Sequence, residues 1–94
     1  MAGVFKVAVT PGFERDVRQL LKKIPEVLPQ VKKLVAALEN DPYNRSRAHD
    51  IKKLLGVMPG AGQFRIRSGN FRLRYDIFGN EVLLHSIRDR KEAY

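Results

Sequence analysis

The chain contains no cysteine, which excludes disulfides and thiolate metal sites. Long apolar stretches are missing too. No run approaches the ~20 residues of a membrane-spanning helix, and the N-terminus carries no apolar segment of the secretory kind. Acidic residues are scarce, ten against eighteen Lys and Arg, for a net charge of +8. A field that positive draws in nucleic acid, anionic membrane or an acidic protein. A phosphate-cradling Walker loop is absent, since no Gly-Lys-Ser/Thr follows Gly60, Ala61 and Gly62. His49 and Asp50 have no further ligand at metal-binding spacing, and the chain holds no repeat, linker or low-complexity segment. The remainder, 94 residues with 44% hydrophobic and 30% charged, reads as one globular domain over residues 1–94 with a single modest core. A cytoplasmic protein with neither cofactor nor metal is expected.

What is present centres on Phe64 to Tyr75, where apolar residues and arginines alternate on both sides of Ser68, Gly69 and Asn70. A strand sends successive side chains to opposite faces, so this is a two-faced hairpin. Phe64, Ile66, Phe71, Leu73 and Tyr75 share one face; Arg65, Arg67, Arg72 and Arg74 share the other. Guanidiniums crowded on one sheet surface repel unless an anion answers them. Asp76 or Glu81 could pair some of them, but the array points more strongly to a polyanionic partner. Strand-borne arginines are an unusual device for a membrane surface, so no membrane partner is expected. Phe71 and Tyr75 share parity with Leu73, which places them in the core rather than on a base-stacking platform.

Elsewhere the pattern predicts a strand over 4–9, then Thr10 as N-cap and Pro11 at the first helical position. Phe13, Val17, Leu20, Leu21 and Ile24 recur at helical spacing, giving a helix over 11–24 that Pro25 ends. A second helix carries Val27, Leu28, Val31, Leu34, Val35 and Leu38 on one stripe, with Pro29 in its first turn. Residues 42–62 read as irregular, with a short apolar turn at Ile51, Leu54 and Leu55. Strands follow over 63–68, 70–78 and 81–88, the last pair joined at Gly79 and Asn80. The predicted fold class is α+β in the order β-α-α-β-β-β: an antiparallel sheet with a helical hairpin packed on one face. The arginine face is then the open one.

These residues resemble the RelE/ParE toxin superfamily over nearly the whole chain. The resemblance is carried by Ile51 to Gly56, by Phe64 to Arg67, by Gly69 to Tyr75 and by the terminal run Arg88 to Tyr94. RelE-like members are small basic endoribonucleases, mRNA interferases that inhibit translation by cutting messenger RNA in the ribosomal A site. A cognate antitoxin neutralises them. ParE-like members share the fold but inhibit DNA gyrase without nuclease activity, and an inactive relative would only bind RNA or antitoxin. The resemblance therefore implies a ribosome-dependent, metal-independent ribonuclease of a type II toxin–antitoxin system, with a RelB-like acidic antitoxin in a heteromeric complex. It places catalysis at Arg72, Arg65, Arg67, Arg90 and Tyr94. Arg74 and Arg88 are expected to bind RNA beside them, as are Lys52 and Lys53, whose alternative is plain exposed surface.

RNA cleavage of this kind needs a base for the 2′-hydroxyl, cations on the phosphate and an acid for the leaving 5′-oxygen. Arginine suits the phosphate, whose oxygens match its planar fork. It stays charged and is a poor proton shuttle. The best-known RelE pattern has lysines where this chain has Arg65 and Arg67, so those positions are expected to stabilise phosphate. Tyr94 could be the base if neighbouring arginines lower its pKa from about 10. His85 is the other acid–base candidate. Alternation groups it with Leu83 and Ile87, against Val82, Leu84 and Ser86, and both sets contain apolar residues, so its face is left open.

Overall fold

The computed structural model describes residues 4–90. Strand β1 (Lys6–Val9) leads into helix α1 (Pro11–Lys23), and α2 (Val27–Asn40) returns along it. Strands β2 (Asp50–Lys53), β3 (Phe64–Ser68), β4 (Phe71–Phe78) and β5 (Glu81–Asp89) follow. The α+β class and the helical hairpin are as the sequence implies. Both helix starts are built as predicted. The Thr10 hydroxyl accepts the Phe13 N–H at 3.0 Å and Pro11 follows it, while Lys22 and Lys23 sit in the last turn, where the helix dipole favours cations. Pro29 is the third residue of α2, where no intrahelical N–H bond is lost.

Two features differ from the predicted sheet. It has five strands in the order β1-β5-β4-β3-β2, because residues 50–53, predicted as irregular structure and an apolar turn, form an edge strand antiparallel to β3. Only Ile51 of that segment is apolar, so alternation could not reveal it; pairing with β3 supplies the strand. The sheet is also mixed rather than antiparallel throughout. β2 to β5 form an antiparallel meander, but β1 runs parallel to β5, since the helical hairpin carries the chain back before the meander begins. Apolar periodicity carries no information on strand direction.

The core lies between the helices and one sheet face. Phe13 and Leu20 of α1 and Val27, Leu34 and Leu38 of α2 close over Ile66, Phe71, Leu73, Tyr75, Val82, Leu84 and Ile87, all buried. Phe64 stacks on Tyr75 with ring centroids 5.4 Å apart, and Tyr43 meets Phe64 edge-on. The Tyr75 hydroxyl donates to the carbonyl of Pro42 at 2.6 Å. This ties the strand to the loop after α2, where Asp41 accepts from the Arg45 and Ser46 N–H groups and the Ser46 hydroxyl.

Candidate nucleic-acid interface

On the far side of the sheet, strand register sorts the cations into two rows. Lys52, Arg65, Arg74 and Ser86 lie opposite one another across β2, β3, β4 and β5. The second row is Asp50, Arg67, Arg72 and Arg88. Adjacent strands are ~4.8 Å apart, so six cationic side chains stem from a small patch of one sheet face. The structure thus brings together Arg65, Arg67, Arg72, Arg74, Arg88 and Lys52.

Two carboxylates far away in sequence temper this charge. Asp50 accepts from Arg65 at 3.2 Å and from Arg67 at 2.8 Å. Asp16 of α1 accepts from Arg88 at 2.6 Å. Neither Asp50 nor Asp16 was anticipated. Asp76, considered from sequence as a possible arginine partner, is instead buried and accepts the N–H groups of Gly62 and Gln63 at 2.9 and 3.0 Å. Exposed pairs are worth about 0–1 kcal/mol and weaken with salt, so Asp50 orients two guanidiniums more than it neutralises them. The Arg65 Nε is buried without a hydrogen-bond partner.

One end of this face is roofed by the loop between β2 and β3. Arg74 donates from Nε to the Gly62 carbonyl at 3.1 Å and from its terminal nitrogen to Ala61 at 2.9 Å. With Asp76 two residues on, the strand presents donors to the loop's carbonyls and an acceptor to its N–H groups. Gly62 is required there: its φ is +81°, and an added Cβ would lie 2.9 Å from the Arg74 Cβ. Arg74, expected from sequence to bind RNA, spends its guanidinium holding this loop. The loop displays Leu55 and Met58 to solvent.

His85 is resolved by a β-bulge. Arg74 faces Ser86 while Tyr75 faces Leu84, leaving His85 as the extra residue of β5. The bulge breaks both alternating sets read from the sequence: Val82, Leu84 and Ile87 enter the core together. The His85 Cβ lies near Gly62 on the cationic side. Its ring is half-buried, and Nδ1 is buried without a partner. The Thr10 hydroxyl donates to the His85 carbonyl at 3.0 Å, holding the bulge to the start of α1.

Other expected site residues are placed apart. Lys53 points to the opposite face from Lys52, its ammonium 5.8 Å from the Phe64 ring centroid. Arg90 lies just past β5; its N–H donates to the Asn70 carbonyl, and it lines a groove with Glu26 and Gln30 rather than joining a row. Tyr94 lies outside the described residues. Tyr75, the phenol at the heart of the fold, is no candidate base, because burial, reinforced by the Asp41 carboxylate, pushes its ionisation far above the ordinary range. Among the described residues, no three His, Asp or Glu side chains gather as a metal site would require. No described helix is long and apolar enough to cross a membrane.

Neither a protein-family model nor a curated protein matches the sequence. Solved structures do match. A chain of the toxin–antitoxin complex RelBE2 from Mycobacterium tuberculosis is 27% identical with a TM-score of 0.69, over 92% of this chain and 98% of that one. A chain of the RelB-RelE antitoxin–toxin complex from Methanococcus jannaschii is 24% identical with a TM-score of 0.66, over 92% and 93%. The E. coli DinJ-YafQ toxin–antitoxin complex contributes a chain with a TM-score of 0.71 at 14% identity, over 97% and 98%. These neighbours are the RelE and YafQ toxins of their complexes. The same fold at near-full coverage of both chains agrees with the resemblance seen in the residues: by fold, this chain is RelE-like.

Proposed function

We propose that this protein is the toxin of a type II toxin–antitoxin pair and a metal-independent endoribonuclease acting on messenger RNA held by the ribosome. The observation that carries the reading is the pair of cationic cross-strand rows on the uncovered face of a RelE-like fold. Phosphates laid across these rows meet guanidiniums from three adjacent strands. Arg72 stands mid-row between Arg67 and Arg88, where it can take up charge that builds on phosphorus as the 2′-oxygen attacks and the bond to the 5′-oxygen breaks.

Proton transfer needs other groups, since guanidinium does not give up its proton. The 2′-hydroxyl proton goes to a base, and an acid returns one to the departing 5′-oxygen. His85, at the rim beside Arg74, and Tyr94 are the candidates for these two transfers. A site with this little acid–base equipment needs its substrate held in line. Positioning by a large partner such as the ribosome can supply up to about 7–11 kcal/mol. The +8 charge also suits an acidic antitoxin that folds on binding. RelB and DinJ are the antitoxins named in the neighbouring complexes.

The test is cleavage of a defined message in a translating extract, with and without ribosomes. Cuts should require ribosomes, persist in the presence of a chelator, and fall at least ~100-fold with Arg72→Ala. Intact messages together with loss of DNA supercoiling would overturn the reading in favour of gyrase inhibition.

A further inference from the structure

Arg88 ends the second cationic row, and its contacts carry that row off the sheet. β1 covers the edge of β5 only as far as Leu84. Beyond that point α1 lies along the edge, where Asp16 accepts the Ile87 N–H at 3.2 Å and the Arg88 guanidinium at 2.6 Å. Arg88 therefore leans toward α1 with 52% of its side chain exposed. Around it lies a pocket of about 320 Å³ lined by Arg15, Asp16, Gln19, Lys23 and Arg88, above Leu20 and Ile87. Arg15, Gln19 and Lys23 are spaced four apart, which sets them along one ridge of the helix. Arg15, Lys23, Arg88 and the Gln19 amide thus line one pocket around Asp16, whose carboxylate accepts from Arg88 and from the Ile87 N–H.

We infer that this pocket is a phosphodiester subsite, through which RNA crossing Arg67, Arg72 and Arg88 continues round the edge of β5 onto α1. The inference rests on the nuclease reading and extends the same substrate by nucleotides outside the scissile step. A phosphate fits better than a base. The lining holds no aromatic ring for stacking, and its donors are forks and amines suited to backbone oxygens. Because the pocket is open to solvent, its contribution is sequence-independent and salt-sensitive. The pocket also gives Asp16 a role beyond closing the strand edge: it holds Arg88 between the sheet row and the helix ridge.

The experiment is equilibrium binding of fluorescent oligouridylates of about 4 and about 12 nucleotides over a range of salt, where each phosphate contact adds ~0.7 to the single-strand salt slope. The proteins are the full chain, an Arg15→Gln/Lys23→Gln double variant and Arg72→Gln. The unchanged protein should favour the longer RNA. The double variant should lose that preference, with a slope shallower by ~1.4 for two lost contacts, and bind the short RNA as before. Arg72→Gln should weaken both lengths. Equal affinity and slope for the double variant and the unchanged protein on the long RNA would sink the subsite alone. If the unchanged protein binds neither length, or Arg72→Gln alters neither, the subsite falls, while ribosome-dependent cleavage in the translating extract decides the nuclease reading separately.

Discussion

The two faces of the β3–β4 hairpin are built from the same alternation but stabilised in opposite ways. On the helix side, Ile66, Phe71, Leu73 and Tyr75 are at most 4% exposed and sealed by α1 and α2. Each contributes by leaving water, at ~25 cal/mol per Å² of apolar surface. On the other side, Arg65, Arg67, Arg72 and Arg74 bring like charges together, and the fold answers with Asp50 and with carbonyls of the 54–62 loop. One face is closed by the chain itself. The other is left open by the helices, and its positive field suits the anionic substrate proposed above.

Neighbouring substitutions on opposite faces can break this comparison. Leu73→Ala opens a cavity at a site with no exposure and should cost about 2–5 kcal/mol in urea unfolding. Arg67→Gln, on the adjacent strand but facing out, should cost no more than about 1 kcal/mol while weakening RNA binding. If the two changes destabilise equally, the cationic face is structural and the contrast collapses.

Gly62 stands where the two regimes meet. Gly62→Ala should destabilise by about 1–3 kcal/mol, combining a left-handed backbone with a collision on the Arg74 Cβ. It should also disturb RNA cleavage through the displaced Arg74 and His85, so thermal melting and cleavage should fall together. Asp50→Asn sharpens the comparison in the other direction. It removes the one carboxylate bridging Arg65 and Arg67, so RNA affinity should rise severalfold at low salt while the melting temperature barely moves. Unchanged affinity would mean that those two guanidiniums do not face the ligand.

The smallest effect concerns pH. The hydrogen bond from the Ser46 side chain leads the contacts that hold the Asp41 carboxyl below its ordinary value. A carboxyl depressed in the folded state contributes stability above its unfolded pKa, and that contribution is lost as pH falls through the folded value. Asp41→Asn should therefore flatten the acid limb of the stability profile and leave the shape near neutral pH unchanged. Urea titrations at several pH values check this.

Legibility from sequence followed the range of the interaction involved. The helices, their Thr10 and Pro25 boundaries, the core face and the arginine face could all be read from local periodicity. β2 could not, because a short edge strand with one apolar residue has no signature until β3 lies beside it. The bulge at His85 was equally hidden, since simple alternation assumes an unbroken register. Asp50, Asp16 and Asp76 entered the site through contacts across the fold, and the expectation that Arg74 binds ligand met a side chain committed to its own loop.

Composition and alternation by themselves determined a basic α+β domain with one oily and one cationic side to its central hairpin, because side-chain direction in a strand is a property of the backbone. Only the tertiary structure decided which carboxylates meet which guanidiniums, how the arginines align into rows across strands, and how the loop fastened by Arg74 and Asp76 narrows the open face. Those outcomes depend on register, on a single extra residue in β5 and on the path of α1 beside it, all of which are set by packing between segments distant in the chain.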